Sequence, residues 1–248
     1  MSQFFDIKNT GPLLGNIPTW SHSRLKTFET CNHALERQVV LKETYFDDEA
    51  PAAIHGQAVH AACENYIQHN TDEIGFEFEN TNIAGVLDRL REKYLLDLVD
   101  VEQKWGFDVD WKETGYFDKD IWGRVIIDAL EWEDTEHRVA KCIDWKSGKG
   151  SDTAKFKYAD QMNTYAISSF MRHKNLEFIE TQLQFTDKAF PPLIQRYTRD
   201  QAMKLFPVLN KRLLKLTTAT FFPPNPSKQN CRFCDHAKHE TCDFRWEE

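Results

Sequence analysis

Apolar and polar positions alternate with a helical period through the first hundred residues, with a strand-like period through the next fifty, and with mixed periods after that. From 21 to 40, "SHSRLKTFETCNHALERQVV" opens on a Ser cap and carries Leu25, Phe28 and Leu35 near helical spacing, which predicts a helix. After the turn-forming "DDEAP", the stretch "AAIHGQAVHAACENYIQH" predicts a second helix, and "IAGVLDRLREKYLLDLVDVEQK" contains a third. "IWGRVIIDALEW" and "EHRVAKCIDWK" are then β-branched and aromatic, with the polar "EDTE" between them, the pattern of a β-hairpin. "YADQMNTYAISSFMRH" returns to helix and "LEFIETQLQFT" reads as strand, while "TRDQAMKLFPVLNKRLLKLTTATF" reads as helix disturbed at Pro207. The Pro-punctuated "FFPPNPSKQN" leads to a Cys-rich end. Helices around a mainly antiparallel, hairpin-containing sheet make this an α/β chain. With 41% hydrophobic and 13% aromatic residues it can bury one substantial core, so a single domain over 1–248 is expected.

Composition narrows the class of protein. No apolar run reaches the length of a bilayer, and the start lacks a basic stretch followed by an apolar block, so a soluble, cytoplasmic protein with no membrane partner is expected. The net charge of −8 argues against a protein that coats nucleic acid over its whole surface, yet the charge is uneven. Residues 1–140 hold 13 Lys+Arg against 27 Asp+Glu, and residues 141–248 hold 18 against 12. The basic excess is densest from Lys188 to Lys215, where Arg196, Arg199, Lys211 and Arg212 are candidates for a phosphate-tracking surface. A solvated helix face is the competing reading.

The most informative stretch is "KCIDWKSGKG" at 141–150. Its glycines and lysines do not have the spacing of a nucleotide phosphate loop. On a strand, Asp144 and Lys146 share one face, with Ile143 and Trp145 on the other. "DWK" also occurs at 110–112, but only the copy at 144–146 follows a strand carrying another acid, Asp128 in "GRVIIDAL". An acid inside an apolar strand is costly to bury unless it is paired or bound to a cation. Two carboxylates and a Lys on adjacent strands can hold a hard divalent cation through oxygen; a buried salt bridge is the alternative. Register matters here: a four-residue loop at 133–136 would set Asp128 opposite Lys141, away from Asp144. Convergence of the two acids requires an odd-length loop or a bulge.

"GRVIID" followed by "IDWKSG" resembles the core of the PD-(D/E)XK nuclease superfamily, and more narrowly the RecB/AddB-type domains and the CRISPR-associated iron–sulfur exonucleases. "SHSRLKTFETC", "GQAVHAACE", "QMNTYA" and "CRFC" with Cys242 resemble four further family segments in the same order, from about residue 21 to 242. The resemblance implies a restriction-endonuclease-like core, a mixed central sheet flanked by helices, with a helical region stapled by a metal cluster. It also implies an N-terminal helical part at 1–100, a catalytic core at 101–190, and a C-terminal helix and Cys-rich tail at 191–248 docking on Cys31. By the same resemblance Asp128, Asp144 and His60 bind Mg²⁺ or Mn²⁺ with the carbonyl of Trp145, and Lys146 is the base or charge stabiliser. Gln161 and Tyr165, at i and i+4 on one helix face, complete the site, and Lys149 is a further DNA contact. Glu102 in "DVEQKW" matches an upstream acid of the family, against the default of a surface glutamate.

The family places a [4Fe–4S] cluster on one early and three late cysteines, here Cys31, Cys231, Cys234 and Cys242. Seven residues separate Cys234 from Cys242, and His236 and His239 lie between them, so a Zn²⁺ site of Cys and His is the alternative. Cys63 and Cys142 read as small buried apolar residues. The function implied is a metal-dependent deoxyribonuclease, an exonuclease on single-stranded or end-exposed DNA in repair, recombination, phage replication or CRISPR adaptation. No ATP-binding loop is present, so any helicase would be a separate partner. The alternatives are a non-catalytic DNA-binding or assembly module and a zinc-stabilised endonuclease.

Overall fold

The computed structural model describes residues 15–43, 51–74, 78, 82–148, 150–151, 153–187 and 190–247. Lys149, Lys188 and most of "DDEAP" lie outside them. The helices are α1 (His22–Thr30), α2 (Asn32–Leu35) continuing into a π-turn at Glu36–Val40, α3 (Pro51–Ile67), α4 (Asn82–Tyr94), α5 (Ala154–Arg172), α6 (Arg199–Thr217), α7 (Lys228–Cys231) and α8 (Asp235–Lys238). The strands are β1 (Val99–Phe107), β2 (Glu113–Thr114), β3 (Gly123–Trp132), β4 (Val139–Lys146), β5 (Phe178–Phe185) and β6 (Leu193–Thr198), in the sheet order β2-β1-β3-β4-β5-β6. The fold is α/β with a mixed sheet flanked by helices; the pairs β1–β2, β3–β4 and β5–β6 are antiparallel, in keeping with the mainly antiparallel sheet that the apolar pattern suggested, and β4–β5 is the parallel pair. β4 and β5 are parallel because α5 is the crossover between them. No helix among the described residues is long and apolar enough to cross a membrane.

Two other departures have local causes. The helix expected over 21–40 breaks at Cys31, whose backbone is extended at φ −157 and ψ 109. Asn32 offsets the break by donating its side-chain amide to the Phe28 carbonyl at 2.9 Å. The segment expected to contain the third helix does so in α4, and β1 begins in its last residues. β6 follows Pro191 and Pro192 and pairs only with β5, the edge position where proline at a strand's start is tolerated. α6, by contrast, runs through Pro207.

The chain forms two compact units: 1–47, 106–124 and 208–248 make one, and 48–105 with 125–207 make the other. The first is organised by tryptophans. Trp20, Trp111 and Trp122 meet with ring centroids 5.3–5.7 Å apart, and the indoles of Trp111 and Trp122 donate to Asn210 and Thr217 on α6, each at 2.9 Å. The second unit buries α3 and α4 against the sheet through Val59, Cys63, Ile67, Ile83, Leu87 and Leu90, packed with Ala129, Ile143 and Trp145. The buried Glu131 is matched by Arg89 at 3.2 Å and Lys93 at 2.8 Å, so this core carries an offset charge.

His173 caps the C-terminus of α5 with its ring edge-on to Trp105 and Trp132 in the second unit. Burial and the charge of Arg172 push its imidazole down to about 4 from an ordinary 6.5. The folded protein therefore holds it neutral while the unfolded chain protonates it, so stability is full above about pH 6.5 and drains as pH falls toward about 4, by ~2–3 kcal/mol at most. His173→Gln is expected to flatten that slope, read as a smaller drop in urea midpoint between neutral and mildly acidic buffer than wild type shows.

Candidate active site

The hairpin β3–β4 sets the register on which the site depends. Ala129 pairs with Ile143 and Trp132 with Ala140, and Glu133 N–H donates to Val139 O at 2.9 Å, leaving a five-residue loop at 134–138. The Asp134 carboxylate shapes that loop, accepting from the N–H groups of Glu136, Arg138 and Val139 at 2.9–3.2 Å. The loop is of odd length, as convergence required. Continued by one residue, the register sets Asp128 across from Asp144.

Two linked clusters lie at the carboxyl end of β4, both within the second unit. In the first, ligand atoms of His60, Glu102 and Asp128 lie within 4.8 Å of one another. Asp128 is buried, and its Oδ2 accepts from the Trp145 N–H at 2.8 Å. The His60 Nε2–H donates to the Trp145 carbonyl at 3.0 Å, which orients the ring so that Nδ1 lies 3.4 Å from Asp128 Oδ2. That carbonyl, a cation ligand by resemblance, is thus already an acceptor. Burial opposes charge on His60, but the hydrogen bond to Asp128 and the carboxylates of Asp128, Asp144 and Glu102 raise its pKa above the ordinary histidine value.

Glu102 reaches this cluster by a distortion of β1. Its φ is +48, in the left-handed region that costs a non-glycine residue about 1–3 kcal/mol, a conformation shared by six other described non-glycine residues of the chain. Burial, then repulsion from Asp128 and Glu64, raise its carboxyl above the usual range. Nothing in "DVEQKW" announces that backbone, so the sequence alone leaves Glu102 as a surface glutamate with a family match.

The second cluster surrounds Asp144, whose carboxylate lies outside the three-residue group. Its Oδ1 accepts from the Tyr165 hydroxyl at 2.7 Å and from the Gln161 amide at 3.0 Å, and that amide also donates to the Tyr165 oxygen at 2.8 Å. Lys146 Nζ is 2.6 Å from Asp144 Oδ2 and 5.3 Å from the Tyr158 ring centroid. Burial and Asp128 push the Asp144 carboxyl up, while Lys146 and Tyr165 hold it back. Burial works against the Lys146 ammonium, but Asp144 raises its pKa, so it stays charged. The arrangement offers three oxygen or nitrogen donors to a hard cation beside a fixed positive charge, a donor set suited to Mg²⁺ or Mn²⁺.

The basic residues fare differently. Arg199 donates to the carbonyls of Phe170, His173, Lys174 and Leu176 at 2.7–2.9 Å, capping the end of α5, and Arg196 pairs with Glu180 at 2.7 Å. Arg212 grips Glu29 with two hydrogen bonds of 2.7 Å. Much of the charge read as phosphate-tracking is therefore spent on internal partners, while Lys211 remains exposed. In the other unit, Cys31, Cys231, Cys234 and Cys242 line one small cavity with Arg37 and His236. Their sulfurs are not gathered tightly: among the described residues, no three Cys or His donor atoms there lie within 4.8 Å of one another. Cys63 and Cys142 are buried.

A model of the PD-(D/E)XK nuclease superfamily matches residues 19–242. No curated protein matches the chain. Among solved structures, one described as a "Putative exonuclease" from Eubacterium rectale aligns over 100% of this chain and 97% of its own, at 11% identity and a TM-score of 0.52, a likeness of fold. Another, of SSO0001, aligns over 91% and 94% at 11% identity, with a TM-score of 0.39.

Removing one charge from the crowded acids separates cation binding from folding. Glu102→Gln is expected to raise the melting temperature of the metal-free protein by a few degrees near neutral pH, because the glutamate's charge is disfavoured there. The same variant should gain less from added Mn²⁺ than wild type, read by thermal melts with and without the ion.

Proposed function

The chain belongs to the PD-(D/E)XK nuclease superfamily, and from that premise we propose that it is a deoxyribonuclease that hydrolyses phosphodiester bonds at single-stranded or exposed DNA ends with Mg²⁺ or Mn²⁺. The observation that carries this reading is the convergence of His60, Glu102 and Asp128 beside the Asp144–Lys146 pair. His60, Glu102 and Asp128 would hold the cation, with Asp144 as a further ligand on the Lys146 side. Such a cation lowers the pKa of a bound water and polarises the phosphodiester. The protein's own side chains do the rest. His60 is held in orientation by the Trp145 carbonyl, and Asp128 by the Trp145 N–H, so the backbone of one residue positions two ligands. Gln161 and Tyr165 fix the Asp144 carboxylate. Lys146, ion-paired with Asp144, orients the attacking water and offsets charge on the phosphate. The narrower kinship with RecB/AddB-type domains and CRISPR-associated exonucleases belongs to this proposal, as does action in repair, recombination or CRISPR adaptation with a separate helicase.

A structural metal centre on Cys31, Cys231, Cys234 and Cys242 is part of the same reading. Four thiols on one cavity supply the donor chemistry of an iron–sulfur cluster. Tetrahedral zinc held by some of these cysteines together with His236, which lines the same cavity, is the alternative. The centre is structural and takes no part in hydrolysis.

Lys146→Ala is expected to lower kcat on single-stranded DNA by about 100- to 1000-fold while Mn²⁺ binding persists; unchanged turnover would remove Lys146 from the reaction. Wild-type protein that binds DNA and degrades none with Mn²⁺ would instead be a binding module. Anaerobically purified protein should be brown, with iron and sulfide but no stoichiometric zinc, and Cys31→Ser should bleach it. A colourless protein carrying zinc would reject the cluster.

A further inference from the structure

The chain that leaves the site carries an aromatic side chain with no apolar duty. α5 begins at Ala154, eight residues beyond Lys146, and its first turn turns Ala154 inward and Lys155, Phe156 and Lys157 outward. Phe156 is 76% exposed. Lys155 Nζ stands 5.0 Å from its ring centroid. The neighbouring Tyr158 is half-buried, with Lys157 Nζ at 4.8 Å and the active-site Lys146 Nζ at 5.3 Å from its ring centroid. From Tyr158 the aromatic contacts continue inward to Phe185 and from Phe185 to Phe190, which anchors the turn in the core formed with Ala154, Met162 and Leu183. The surface next to the active-site lysine therefore combines an exposed ring, a second ring with that lysine 5.3 Å from its centroid, and two flanking ammonium groups.

These residue types suit one ligand in particular. A base whose partner strand is absent exposes its π-face and can stack on a phenyl ring, while the phosphates on either side meet lysines. A paired base in a duplex has its faces covered by its neighbours and offers only phosphates. An apolar protein surface would use the ring but be repelled from no acid and drawn by no ammonium, so the charge here favours the polyanion.

We propose that Phe156, flanked by Lys155 and Lys157, is a base-stacking platform that selects single-stranded DNA and seats an unpaired nucleotide beside the scissile phosphate. This rests on the nuclease reading and deepens it: the preference for single strands resides in the first turn of α5. Phe156 is a positioning residue, since it meets the substrate's base and not the reacting atoms.

The test measures binding of fluorescent single-stranded DNA, a blunt duplex and a single-stranded RNA of the same sequence to the full chain, with Ca²⁺ in place of Mg²⁺. Phe156→Ala is expected to weaken single-strand binding by about 5- to 100-fold, and so to narrow the preference for single strand over duplex. Phe156→Trp should retain the affinity of wild type and quench a 2-aminopurine base in the strand. Phe156→Leu should behave as Phe156→Ala, because it keeps apolar area and loses the π-face. The platform is overturned if Phe156→Ala binds as wild type does, if Phe156→Leu restores affinity, or if RNA is preferred over DNA. Cleavage assays with Mn²⁺ keep the two readings apart. Phe156-dependent binding without cleavage would end the hydrolytic proposal and leave the platform, whereas cleavage and binding indifferent to Phe156→Ala would do the reverse.

Discussion

The energetic constraint on which the rest depends is the repulsion among buried carboxylates at the end of the β3–β4 hairpin. Asp128 and Asp144 are 7% and 3% exposed and sit across from one another, with Glu102 beside them. Alone, such a group would be strongly unfavourable, because charge taken out of water must be compensated locally. The compensation is asymmetric. On one side Lys146, Tyr165 and Gln161 satisfy Asp144; on the other, Asp128 receives one peptide N–H and an imidazole, and Glu102 is left with a raised pKa. The side left short of positive charge is the side where three donor atoms converge.

The scaffold exists to hold that asymmetry. An odd loop fixed by Asp134 puts the two aspartates in register. The parallel β4–α5–β5 crossover brings Gln161 and Tyr165 over the end of β4 from the same chain segment that follows Lys146. α3 packs Val59 and Cys63 into the core and so directs His60, between them in sequence, toward Trp145. Each of these elements is stabilised by apolar burial elsewhere, which offsets the strain at Glu102 and the charge at the site.

Much of this was legible in the sequence. The strand pair, the helix bearing Gln161 and Tyr165, and the requirement for an odd loop all follow from periodicity and spacing, because strong patterns report the buried faces of long elements. What escaped did so for physical reasons. Glu102 depends on a positive φ that no residue-level pattern signals. β6 is a short edge strand after two prolines, and the parallel pairing depends on a crossover that hydrophobic alternation cannot encode. The basic run was visible as charge, but Arg199 and Arg212 turned out to be committed to carbonyls and to Glu29, partners distant in sequence. The helix break at Cys31 was hidden inside an otherwise regular pattern, yet it is what sets that thiol apart from α1.

A crystal soaked in Mn²⁺ and measured at the manganese absorption edge tests the central claim most directly. An anomalous peak is expected, bounded by His60 Nδ1 and carboxylate oxygens of Glu102 and Asp128, with Asp144 turned toward it and Lys146 alongside. A well-diffracting soaked crystal with no peak there, or with manganese bound only at some other place, would contradict it.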